Sequence, residues 1–172
     1  MGPGKLSVSG GFCILLAVFM LTVPLPWLFA VLFAAGFHEL GHLTAIYLLG
    51  GSVRLGNLGS SSADILISPM SRDREAMAAL GGPLFSLLLL LLWRQMPRIA
   101  LCAGFQLCYN LLPLYPMDGG RIISCYLSPK VCGYITKICR VLLCVLALWL
   151  AFGLKLGLFP LLLLLLLLIR TK

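Results

Sequence analysis

Hydrophobic residues in this chain fall in long blocks, separated by short polar, proline-rich or glycine-rich stretches. The blocks Phe12–Val23, Trp27–Leu49, Ser71–Trp93, Ile99 to about Leu112, Val131 to about Phe152 and Leu156–Ile169 read as helices. Most approach the ~20 apolar residues needed to cross a bilayer. The first block has no small-residue cleavage pattern and leads through Pro24 and Pro26 into the second. It therefore reads as the first span of a tight hairpin and not as a cleaved signal peptide. Gly50-Gly51 closes the second block as a helix-stop signal.

Residues 51–72 interrupt this pattern. They mix β-branched residues with Gly, Ser, Asn and Pro, and are too polar to span. Two short strands forming a hairpin at the membrane surface fit them, with a free edge that could accept an extended peptide; a plain connector fits equally well. Ser71 or Asp73 then caps the third helix, and Gly81-Gly82-Pro83 within it allows close approach to a neighbouring helix. Pro113 to Gly120 breaks the fourth span, residues 121–130 form an amphipathic or interfacial piece, and the leucine octet 161–168 reads as lipid-facing. The expected fold is an all-α integral membrane protein of about six transmembrane helices, with a short surface β-hairpin after the second.

Composition agrees. The 172 residues are 61% hydrophobic and 10% charged, which leaves no room for a soluble domain of ordinary size. A net charge of +8 would suggest nucleic acid in a soluble protein. Here the basic residues lie mostly at span ends, where anionic lipid and topology explain them, and nucleic acid is not an expected partner. With a cytoplasmic N-terminus, only Arg94, Arg98 and Lys155 fall outside, so both termini are expected in the cytoplasm. Seven cysteines without a C-x-x-C pair argue for reduced, packing thiols. Cys125, Cys132 and Cys139 recur every seven residues and would share one helix face.

Candidate chemistry centres on Phe37-His38-Glu39-Leu40-Gly41-His42, an H-E-x-x-H pattern inside the second block. On a helix His38 and His42 project from one face and can bind one Zn²⁺, with Glu39 beside the metal as a base. The block holds no other charged residue, and ionisable groups inside a membrane span are costly enough to mark function. A catalytic zinc needs a third protein ligand and one open position. Of the five carboxylates, Glu39 serves as the base, while Asp64, Asp73 and Glu75 belong to the polar connector or its border. Elimination leaves Asp118. By itself Asp118-Gly119 would read as a turn.

Three blocks, Phe37–His42, Ala79–Ser86 and Asn110–Arg121, carry a resemblance to the site-2 protease family of intramembrane zinc metalloproteases. The similarity is greatest to its small bacterial branch of stage IV sporulation protein FB-type peptidases, and it covers about residues 27–125. The resemblance implies a single membrane-embedded peptidase domain over 1–172, without a PDZ or CBS domain, in a bacterial cytoplasmic membrane. It implies one zinc per chain held by His38, His42 and Asp118, with Glu39 as catalytic base and Asn110 near the substrate or oxyanion. Expected partners are a membrane-protein substrate, the lipid bilayer, and membrane regulators or inhibitors. The implied function is regulated intramembrane proteolysis, with a sporulation transcription-factor precursor as one substrate class. Ser86 departs from the family, which usually has Asn there, and so puts a substrate contact at that position in doubt. The alternatives are an inactive zinc-binding homologue or a transporter.

Overall fold

A computed structural model describes residues 23–58, 63–67 and 70–153, together with Leu164. The chain forms two compact units, Met1–Tyr109 and Asn110–Lys172.

In the first unit, α1 spans Leu25–Leu48. Pro24 and Pro26 flank its start, where the missing N–H groups cost nothing because the first turn has no intrahelical acceptors for them. Its end is a Schellman motif. Gly50 adopts a left-handed φ of 73°, its N–H bonds the Tyr47 carbonyl, and the Gly51 N–H reaches back to Ile46. The expected helix stop at Gly50-Gly51 is thus present. Ala30, Ala34, His38, His42 and Ile46 recur every four residues and form one buried stripe, so both histidines face the protein interior.

After α1, strands β1 (Val53–Leu58) and β2 (Ala63–Ile67) pair antiparallel, with Val53 opposite Ile67 and a register irregularity between Leu55 and Leu58. Helix α2 follows at Arg72–Leu90. Ser71 occupies its N-cap in extended conformation, and Asp73 and Glu75 lie in the first turn, where a helix dipole favours negative charge. The helix gives way to turns at Leu91, short of the expected Trp93. Helix α3 spans Pro97–Asn110.

Glycine decides how α1 meets α2. A Cβ built on Gly41 would collide with the Gly81 carbonyl oxygen and lie 2.8 Å from the Phe85 Cβ. One built on Gly81 would collide with the Gly41 carbonyl oxygen and lie 2.7 Å from the Ala45 Cβ. The two backbones therefore touch at Gly41 and Gly81, the close approach that small residues permit. Towards the other end of α1, Ala30 and Ala34 pack with Leu89, Ile99 and Ala103, tying α3 to the pair.

In the second unit, a turn segment over 111–117 contains a cis Tyr115-Pro116 bond and the fully buried Leu114. Helix α4 (Asp118–Tyr126) starts at Asp118 itself, with Met117 extended as its N-cap. The break expected over Pro113 to Gly120 therefore ends at Met117, and the piece expected over 121–130 is a helix over Asp118–Tyr126. Gly119 and Gly120 lie inside the first helical turn, where a Cβ on either would strike the backbone of Leu111 or Leu114. Leu127 and Ser128 are extended before α5 (Pro129–Leu148), since Pro129 bars the residue before it from helical conformation. That break separates Cys125 from Cys132 and Cys139, so the seven-residue cysteine repeat does not share one helix. Helix α5 continues through a π-helical turn, Trp149–Gly153.

The expectation of about six spans is met only in part. Among the described residues two helices are long and apolar enough to cross a membrane, Leu25–Leu48 and Pro129–Gly153. Helix α2 opens on four charged residues, Arg72 to Glu75, and so lacks an uninterrupted apolar length. Helix α3 has 14 residues. At 1.5 Å per residue it is roughly 21 Å long, short of a ~30 Å hydrocarbon core. The blocks read as first and sixth spans, 12–23 and 156–169, lie outside the described residues.

Candidate metal centre

His38, His42 and Asp118 form a group that could hold a metal ion. One ligand atom from each lies within 4.8 Å of the others, and all three side chains are buried. Among the described residues this is the one group of three or more His, Cys, Asp or Glu with such a geometry.

The hydrogen bonds of the two imidazoles leave the right atoms for a metal. His42 Nδ1 lies 2.8 Å from the Ala78 carbonyl oxygen. A carbonyl only accepts, so Nδ1 carries the proton and donates, and Nε2 presents a lone pair. The Gly82 N–H is 3.3 Å from the same Nδ1. A protonated Nδ1 cannot accept from it, and the shorter carbonyl contact decides the tautomer. His38 Nδ1 lies 2.8 Å from Ser86 Oγ, with both groups buried. Each ring thus has an outer-shell partner on Nδ1, the arrangement that orients metal-binding histidines.

The two Nε2 atoms face each other at 3.2 Å, on rings 84° apart. Two nitrogens bound to a tetrahedral zinc at ~2.0–2.1 Å would lie roughly 3.3–3.4 Å apart. The observed separation matches a pair of ligands sharing one ion. Two imidazoles and a carboxylate also leave one position open, as catalytic zinc sites do. The donor set fits.

Gly82 makes room for this arrangement. A Cβ built there would strike His42 Nε2 and lie 2.7 Å from His38 Nε2. Gly82→Ala is therefore expected to push both metal-facing nitrogens aside and weaken metal binding at least ~10-fold, an effect on the scale of a lost outer-shell partner. Helix content should hold, because Ala favours a helix interior over Gly by ~1 kcal/mol. Metal titration beside circular dichroism checks this, and unchanged affinity would contradict the steric argument.

Glu39 is exposed on α1 between the two histidines and is not a member of the donor group. Asn110 closes α3 and is half-buried. Asp73 and Glu75 stay exposed at the start of α2, apart from the donor group. Sequence reasoning passed over the Ala78 carbonyl and undervalued Ser86 and Gly82. Their signal was the spacing of Ala78, Gly82 and Ser86, four residues apart and so on one face of the helix flagged for close approach.

No protein-family model matches this chain, and no curated protein matches it either.

Proposed function

We propose that this chain is an intramembrane zinc metallopeptidase of the site-2 protease type. The observation that carries the reading is the buried His38–His42–Asp118 group, two of whose members come from an H-E-x-x-H sequence on an apolar 24-residue helix. That helix context supports chemistry at membrane depth. So does Pro129–Gly153, whose exposed Val131, Ile138, Val141, Leu142 and Val145 suit contact with lipid. In this reading the chain is a multi-pass protein of about six spans in a bacterial cytoplasmic membrane, with both termini in the cytoplasm.

His38, His42 and Asp118 would hold Zn²⁺. When bound, the ion supplies a Lewis acid for the scissile carbonyl and acidifies the attacking water. Glu39, one residue from a ligand and exposed on α1, accepts the water's proton and returns it to the leaving amine. Asn110 would donate a hydrogen bond to the developing oxyanion. A helical substrate hides its backbone in its own hydrogen bonds and must unwind locally before attack. The β1–β2 sheet, whose strands pair only with each other among the described residues, offers an edge to hold the unwound segment extended. The substrate is a membrane-embedded or membrane-tethered protein, and a sporulation transcription-factor precursor is one such class.

The test is cleavage of transmembrane peptides by the full chain in proteoliposomes. Activity should vanish with a zinc chelator and return on adding Zn²⁺ but not Mg²⁺. Cleavage that survives complete metal removal would rule the reading out.

A further inference from the structure

We infer that Ser86 is a positioning residue that aims His38 at the metal, and that its hydroxyl is suited to the site both empty and loaded. The inference rests on the metal-centre reading above and extends it to a residue outside the donor group.

The geometry begins with α2. Ala78, Gly82 and Ser86 lie at intervals of four and form one stripe along the helix face that meets α1. Each does a different task for the imidazoles. Ala78 offers a carbonyl to His42, Gly82 offers space beside both Nε2 atoms, and Ser86 offers a hydroxyl to His38. Ser86 is completely buried, as is the contact it makes, so water does not compete for its Oγ. A helical serine can otherwise turn back to a carbonyl of its own helix. The 2.8 Å contact shows this one turned towards α1.

Two proton arrangements satisfy the same heavy atoms. In the first, the Ser86 O–H donates to His38 Nδ1, the His38 Nε2–H donates across 3.2 Å to His42 Nε2, and the His42 Nδ1–H donates to Ala78. These three contacts need no ion. In the second, His38 carries its proton on Nδ1 and donates to Ser86 Oγ. Both Nε2 lone pairs then point at one place, as a shared cation requires. Passage from the first to the second moves one proton within the His38 ring, from Nε2 to Nδ1, and turns the Ser86 hydroxyl. The number of protons on the two imidazoles and the hydroxyl does not change. A hydroxyl serves both states because it donates and accepts, whereas a carbonyl, as at His42, serves only a protonated Nδ1.

The experiment compares wild type, Ser86→Ala and Ser86→Thr, each as the full chain in detergent. Zinc dissociation constants come from competition with a chelating dye, and Co²⁺ loading reports ligand geometry through its visible absorption bands. Ser86→Ala should bind zinc about 10–100-fold more weakly, the usual cost of losing an outer-shell partner, and shift the Co²⁺ bands. Ser86→Thr keeps the hydroxyl and should restore both readouts towards wild type. Wild-type affinity and unshifted bands in Ser86→Ala would overturn the inference, and so would a Ser86→Thr protein as impaired as Ser86→Ala. A wild-type chain that binds neither ion would instead overturn the metal-centre reading beneath it.

Discussion

Replacing Glu39 by Gln should abolish peptide cleavage while leaving zinc in place. The substitution keeps size and shape but removes the group that accepts and returns the proton. General-base catalysis is typically worth 10²–10⁴-fold, so the residual rate should fall by at least about that factor. Metal binding should survive, because Glu39 is exposed and lies outside the donor group. The split between activity and occupancy is the informative result. Cleavage rates and zinc content measured on the same preparation give it directly. Retained cleavage would remove Glu39 from the mechanism, and joint loss of zinc would make it a ligand.

Asp118→Ala should have the opposite signature, with metal and activity lost together. Asp118 is buried and is one of only three donors, so its removal leaves two imidazoles to hold the ion. The affinity loss should exceed the about 10–100-fold that follows loss of an outer-shell partner. The fold should tolerate the change. Asp118 is the first residue of α4, and alanine is an excellent helix former. The same position separates two readings of the dipeptide Asp118-Gly119. A turn residue would give a variant with normal metal content, whereas a ligand gives an empty one.

Much of this site could be read from the chain itself, and the reasons differ residue by residue. His38 and His42 follow from helical spacing alone. The end of their helix follows from Gly50-Gly51, since only glycine enters the left-handed region without strain. Asp118 emerged by elimination among five carboxylates, a short list because the chain is so apolar. Its conformation did not emerge, because Asp-Gly is common in turns and the demand for glycine here comes from the Leu111–Tyr115 backbone pressed against it. Ser86 was legible as a departure from a family pattern but not as a histidine partner. That contact depends on where α1 and α2 cross, and the crossing is set by backbone contact at Gly41 and Gly81. The cysteine repeat misled because periodicity assumes one helix, while Ser128-Pro129 divides two.

Whether an H-E-x-x-H helix and a carboxylate eighty residues away make one metal centre can be tested without a substrate. Zinc per chain should be measured in detergent-purified protein after zinc loading and removal of excess ion, with wild type beside Asp118→Ala. One zinc in the wild type, as a single donor group implies, and little or none in the variant is the expected result. No zinc in the wild type, or equal zinc in both, would contradict it.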